Sequence, residues 1–91
     1  MKYDYTAEFM QAILRNIGNL LLLPEYRTNE DHNTVAYLYK KLKALNFEKP
    51  TETELWSYLK LVETLHPVAP EGRQAVQTAH DDLHYLIFLR G

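Results

Sequence analysis

Two histidines on one side of the last predicted helix are the residues whose spacing most suggests chemistry. His80 and His84 are four positions apart, and residues four apart are neighbours on a helix surface. Two imidazoles at this spacing can share a divalent metal ion, and Asp81 and Asp82 between them offer carboxylate oxygens. The alternative is a partly buried structural histidine at position 80 beside a solvated His84. We favour this second interpretation and assign no metal site.

The string HDDLH, residues 80–84, departs from the HExxH motif of zinc peptidases. That motif needs a glutamate as the general base and a third metal ligand. Here Asp81 is one carbon shorter than glutamate, and only His32 and His66 are candidates for the third ligand. The chain also has no cysteine, no GxSxG motif and no glycine-rich phosphate loop. The sequence therefore predicts a protein that is not an enzyme, with no catalytic residues and no cofactor.

The helices that carry these residues belong to a chain with the composition of one globular domain. Its 91 residues are 46% hydrophobic and 24% charged, as in soluble proteins. Asp4 and Glu8 stand where a secretory signal would have a basic region, and the longest apolar run, residues 20–23, is too short to span a bilayer. We therefore expect a cytoplasmic protein with no transmembrane segment.

Apolar residues recur at spacings of three and four almost throughout, which predicts four amphipathic helices. Thr51 and Glu54 have the spacing of a capping box at a helix start. Asn46 suits the left-handed conformation just past a helix end, and the residue before Pro67 disfavours the helical one. Pro70 suits a first helical turn. The expected helices cover about residues 5–23, 30–46, 51–66 and 70–90.

Connections this short place each helix antiparallel to the one before it. The expected fold is all-α, an antiparallel up-down four-helix bundle that forms a single domain over residues 1–91. Its expected core consists of the apolar stripes, namely Phe9, Met10, Ile13, Ile17, Leu20, Leu21, Val35, Leu38, Tyr39, Leu42, Leu45, Leu55, Tyr58, Leu59, Val62, Leu65, Val76, Ala79, Leu83, Leu86 and Ile87.

Several residues that lie off these stripes predict a protein-binding surface. They are an aromatic residue among lysines on the second helix, the single tryptophan one turn from a lysine on the third, and additional apolar residues near the end of the fourth. Exposed Trp and Tyr are enriched at binding hot spots. The predicted surface comprises Tyr37, Lys40, Lys41, Trp56, Lys60, Tyr85, Phe88 and Leu89.

Ordinary structural roles are the alternative for each of these residues, because single exposed aromatic residues are common. In that interpretation Trp56 covers a loop, the lysines form a solvated face, and Phe88 packs against Tyr3 and Tyr5.

Charge is distributed unevenly along the chain. Residues 32–49 carry four lysines and one acidic residue, whereas residues 50–91 carry six acidic and three basic residues. The lysines could meet an acidic protein patch or phospholipid head groups. A net charge of −2 argues against nucleic acid as the partner.

The segment YLYKKLKALNFEKPTETELWSYLKLVE, residues 37–63, followed by a last amphipathic helix, resembles the immunity proteins of pediocin-like (class IIa) bacteriocins, the enterocin A immunity family. In that family a lysine-bearing helix that ends in Tyr-x-x-Leu passes through a turn with an aromatic residue and a proline into a leucine-rich third helix. The matching positions here are Tyr39, Leu42, Phe47, Pro50, Leu55 and Leu59.

The resemblance implies a small antiparallel four-helix bundle without catalytic activity. Such a protein acts in the cytoplasm and protects its producer cell by recognising the bacteriocin bound to its membrane receptor, the sugar permease of the mannose phosphotransferase system. Specificity in the family resides largely in the C-terminal half, where Tyr85, Phe88 and Leu89 fall.

Two other functions remain open from the sequence. One is a small phage- or plasmid-type inhibitor or adaptor that binds another protein through the same helical surface. The other is a homo-oligomeric bundle, such as a homodimer through the fourth helix, in which a second copy covers the apolar residues near its end.

Overall fold

Four α-helices form the fold over the residues that the structure describes, which are 5–26, 31–46 and 48–88. The structure is a computed structural model. The helices are α1 (Thr6–Leu22), α2 (His32–Ala44), α3 (Glu52–Glu63) and α4 (Pro70–Phe88), and a 3₁₀ turn, Pro24–Tyr26, follows α1. No strand occurs within these ranges. The predicted all-α, antiparallel up-down four-helix bundle is confirmed.

Helix α1 packs against two neighbours, α2 and α4. Helix α3 packs mainly against α4. The contact between α2 and α3 is smaller than those of α1 with α2, α3 with α4 and α1 with α4. Among the described residues, no helix is both long enough and apolar enough to cross a membrane.

The buried core follows the predicted stripes closely on α1, α2 and α3. On α4 the buried residues begin with Gly72, Ala75 and Ala79, so Ala75 takes the buried position expected for Val76, which is partly buried. The fully buried Tyr26 is an addition from the 3₁₀ turn. The core residues are Met10, Ile13, Ile17, Leu20, Tyr26, Val35, Leu38, Leu42, Leu55, Tyr58, Leu59, Val62, Leu65, Ala75, Ala79, Leu83 and Leu86.

Local signals at three helix ends are confirmed. The Thr51 backbone N–H donates to Glu54 Oε1 at 2.9 Å, and the Glu54 N–H donates to Thr51 Oγ1 at 3.1 Å, which completes the capping box. Asn46, two residues past the last residue of α2, has a φ of 50°, in the left-handed region. Helix α4 begins at Pro70 as expected.

The end of α3 is a correction to the expected bounds. The helix ends at Glu63 and not at His66. Thr64 Oγ1 donates to the Leu61 carbonyl at 2.7 Å, and the Thr64 and Leu65 N–H groups form the shorter i to i−3 hydrogen bonds of a tightened last turn. Leu65 is nevertheless buried, as the stripe predicts.

The start of α4 is held by a residue 45 positions earlier in the chain. Ala69, just before Pro70, has no side-chain oxygen that could cap the helix. Glu25 from the 3₁₀ turn supplies its carboxylate instead and accepts hydrogen bonds from the N–H groups of Val68 at 2.9 Å and Ala69 at 3.0 Å. A negative charge at the N-terminal end of a helix also interacts favourably with the helix dipole. The carboxylate thus ties the end of α1 to the start of α4.

Tyr26 and Gly72 close the same end of the bundle. His32 donates from Nδ1 to the Tyr26 carbonyl at 2.7 Å, and burial raises the pKa of the Tyr26 hydroxyl to about 12.

Gly72 lies so close to its neighbours that an added Cβ would be 2.8 Å from Pro67 Cβ and 2.9 Å from Leu23 Cδ1. Only a residue without a side chain fits there.

We expect Gly72→Ala to destabilise the protein by about 1 to 3 kcal/mol through overpacking. In an open helix position the same change would stabilise it by about 1 kcal/mol, because alanine is the better helix former. Gly18→Ala is the matched comparison, since its Cβ would lie 3.0 Å from Cε2 of the half-buried Tyr39 ring, which can move outward. Chemical denaturation measures both. Equal effects of the two substitutions would contradict the close approach at Gly72.

We expect Glu25→Gln to lower stability in a pH-dependent way. The two backbone hydrogen bonds, first that of Val68 and then that of Ala69, lower the pKa of Glu25 from its usual value of 4.5. A carboxyl group with a lowered pKa in the folded state adds stability that is present above the unfolded-state pKa and is lost as the pH falls through the folded-state value. The wild type should therefore exceed Glu25→Gln in unfolding free energy at neutral pH, and the difference should shrink below pH 4.5.

Denaturant titrations at several pH values test this expectation. Glu71→Gln is the control, because it removes a carboxylate from the first turn of α4 and leaves both Glu25 hydrogen bonds in place. The same pH dependence in both variants would show that the effect comes from general charge at this end of the helix.

Candidate protein-binding surface

An exposed aromatic cluster, which consists of Trp56, His84 and Phe88, lies where α3 meets α4. Trp56 is 38% exposed and Phe88 is 52% exposed. Their ring centroids are 5.2 Å apart in an edge-to-face arrangement, and the His84 ring lies 4.4 Å from that of Phe88. The edge-to-face arrangement is favourable for aromatic pairs. The three rings therefore form one preassembled surface that crosses two helices.

The antiparallel packing of α3 and α4 extends this cluster into a polar strip. His80, His84 and Phe88 are successive fourth residues and so share one side of α4. At the far end of the row, His80 Nε2 lies 3.4 Å from Glu63 Oε2 across the helix pair. A partner would meet apolar rings at one end of the strip and imidazole and carboxylate groups at the other.

The surroundings of the histidine pair fit the structural interpretation of His80. His80 is half-buried, whereas His84 is exposed, and their ring centroids are 6.2 Å apart. The contacts of His80 are to the carboxylates of Glu63 and Asp81, the latter at 3.7 Å from Nδ1. His32 is occupied with the Tyr26 carbonyl. Across the ranges that the structure covers, no three His, Asp or Glu residues are placed to hold one metal ion.

The aromatic residue on α2 belongs to a second, separate group of side chains. Lys41 Nζ lies 5.6 Å from the centroid of the Tyr37 ring, which is 51% exposed. On α3 opposite, Glu54 accepts a 3.4 Å hydrogen bond from the hydroxyl of the buried Tyr58. The capping hydrogen bonds of Thr51 and the nearby charge of Lys41 lower the pKa of Glu54, and burial raises that of Tyr58 to about 12.

These two groups lie on opposite flanks of α3. Positions 54 and 56 are separated by about 200° around the helix, at roughly 100° per residue. Glu54 faces α2 and Lys41, whereas Trp56 faces α4 and Phe88. The residues predicted as one surface are therefore divided into two faces, one on α2 and one along the α3 and α4 pair.

The remaining predicted residues take different positions. Tyr85 is half-buried and stacks on Phe9 of α1, with ring centroids 4.4 Å apart, so its ring already has a partner inside the bundle. Lys40 and Lys60 are exposed on α2 and α3. Leu89 lies outside the residues that the structure describes, as does Tyr3, one of the two contacts expected for Phe88 in the structural alternative.

Sequence analysis missed His84 and Glu63 as members of this surface. The signal for His84 was available, because it precedes Phe88 by four positions on the same helix. The approach of Glu63 to His80 depends on how α3 and α4 are aligned, which no local pattern specifies.

We expect added Zn²⁺ to leave the thermal unfolding midpoint unchanged, because we assign no metal site to the histidine pair. A metal that binds only the folded state would raise this midpoint. Differential scanning calorimetry of the metal-free protein with and without Zn²⁺ measures this. A rise in Tm that is lost in His84→Ala would instead establish the histidine pair as a metal site.

Comparisons of the chain with protein-family models, with curated proteins and with solved structures give no significant match.

Proposed function

We propose that this protein is a non-catalytic protein-binding helical bundle that recognises its partner through the aromatic cluster of Trp56, His84 and Phe88. The observation that carries the proposal is the contact between two large exposed aromatic rings on different helices. Trp is among the residues most enriched at hot spots, and a ring already held by its neighbour loses little conformational entropy on binding.

The neighbours of the cluster also suit a protein partner. Lys60 follows Trp56 by one turn, and Glu63 follows on the same flank of α3. An apolar centre bordered by charged and polar groups has the general arrangement of a protein–protein interface. The sequence contributes no nucleophile motif or phosphate loop that would favour an enzyme.

The more specific proposal is bacteriocin immunity. It rests on the resemblance of residues 37–63 to the enterocin A immunity family and on the position of the cluster, since His84 and Phe88 lie in the half of the chain that determines specificity in that family. In this role the protein acts in the cytoplasm and binds the complex of a pediocin-like bacteriocin with its membrane receptor.

Expression of the protein in a bacterium sensitive to a pediocin-like peptide tests the proposal. We expect the peptide concentration that inhibits growth to rise on expression. Trp56→Ala and Phe88→Ser should abolish most of this protection, because loss of a hot-spot residue costs about 2 kcal/mol of binding or more, or roughly thirtyfold in affinity. Their effect on stability should be about 1 kcal/mol, as for other partly exposed side chains.

Val68→Ser is the matched control, because it also removes a large exposed apolar side chain, 81% exposed, from a site away from the cluster. Unfolding curves and protein levels for all variants separate lost binding from lost folding. Unchanged sensitivity on expression would refute the immunity role. If light scattering shows a dimer that Phe88→Ser dissociates, the cluster binds a second copy of the chain.

A further inference from the structure

A groove of about 570 Å³ runs along the opposite side of the bundle, between α1 and α2. Its lining on α1 extends from position 11 to position 22, or about 16 Å at the usual helical rise. Leu14, Gly18 and Leu21 lie along the side of α1 next to α2, and Tyr39 of α2 forms the opposite wall. The groove is therefore elongated and mostly apolar.

A glycine lets the two walls of this groove meet closely. At Gly18 a Cβ would lie only 3.0 Å from Cε2 of Tyr39, so the aromatic ring rests against the backbone of α1. The side chain of Leu22, which is 76% exposed, continues the apolar surface at the end of the helix. Leucines spaced along the groove provide contacts for apolar side chains that repeat at helical intervals.

The charge that lines the groove is positive. Arg15 is the charged residue that lines it, and no acidic residue does so within the described chain. Lys43 Nζ lies 5.9 Å from the centroid of the Tyr39 ring, and the exposed Lys40 follows Tyr39 in sequence. An occupant with carboxylates beside its apolar face would match this rim.

We propose that the groove between α1 and α2 binds an amphipathic helix of another protein, whose apolar side chains enter between Leu14 and Tyr39 and whose acidic side chains face Arg15 and Lys43. An anionic membrane surface shares the negative charge but offers no row of apolar side chains at helical spacing to meet Leu14 and Leu21. The spacing of these leucines thus favours a helix. This surface is separate from the aromatic cluster and does not depend on the proposed function.

Two synthetic peptides test the proposal with the full chain. Each is a fluorescent helix of about 14 residues, roughly four turns, with leucines at positions i, i+3 or i+4 and i+7. One carries glutamates beside the leucines, and the other carries lysines at the same positions. We expect saturable binding of the glutamate peptide, at least about fivefold weaker binding of the lysine peptide, and weakening of the former when NaCl rises from about 0.05 to about 0.5 M.

Nuclear magnetic resonance then locates the site, and we expect the Gly18 amide and the Tyr39 ring signals to shift with the glutamate peptide. Arg15→Glu should weaken its binding about fivefold or more, because attraction is replaced by repulsion. Arg73→Glu is the matched control, since Arg73 is exposed on α4, outside the groove. Leu22→Ser tests the apolar contact between Leu22 and the peptide. Because the Leu22 side chain is largely exposed, this substitution should leave folding intact.

Equal binding of the two peptides would overturn the proposal, as would glutamate-peptide binding that leaves Gly18 and Tyr39 unshifted. Vesicles of phosphatidylglycerol and phosphatidylcholine form the last arm of the test. Binding to these vesicles without binding to the glutamate peptide would assign the basic rim to a membrane and would also overturn it.

Discussion

The packing of α1 against α4 is the contact on which the rest of the bundle depends. It is the most extensive contact between helices, and the other two helices attach to it from either side, α2 to α1 and α3 to α4. The small residues Gly72, Ala75 and Ala79 form the buried face of the first half of α4. The carboxylate of Glu25 fixes the same end through the two N–H groups that precede the helix. Because α2 and α3 touch little, the molecule is best described as two helix pairs, α1 with α2 and α3 with α4. The contact between α1 and α4 joins these pairs and is called the central seam below. Each proposed binding surface lies on one of these pairs.

Much of the fold follows from local patterns because the signals at helix ends are chemical and short in range. The capping box of Thr51 and Glu54 needs only residues three apart, and Asn46 needs only its own backbone conformation. The end of α3 lies three residues before the predicted one, since Pro67 sets only the furthest point that the helix can reach and the tightened turn at Thr64 and Leu65 ends it earlier. The Glu25 interaction could not be predicted, because it joins residues 43 and 44 positions apart that only the folded chain brings together.

The candidate site divides in the same way between local and nonlocal information. Helical projection predicts that Trp56 and Phe88 lie off the core, and both are exposed. It cannot predict that their rings touch, since this depends on the rotation and axial shift of α3 relative to α4. For the same reason Tyr85 was assigned to the outer surface, whereas the rotation of α4 brings it onto Phe9. Periodicity defines which side of a helix is apolar, and packing decides which of the residues at its edge become a surface for a partner.

The central seam also has a consequence for how the chain folds as it is made. It joins the first helix to the fourth. Residues near position 10 can therefore form their final contacts only after residues near position 83 have been synthesised. Closing such a long segment carries an entropic cost that nearby pairs do not pay. On the ribosome, α1 can pair early with α2, but the face that later meets α4 stays uncovered until α4 has left the exit tunnel, and uncovered apolar faces favour aggregation. A chain whose synthesis stops before α4 would therefore keep one apolar face of α1 uncovered, a form that chaperones and proteases recognise.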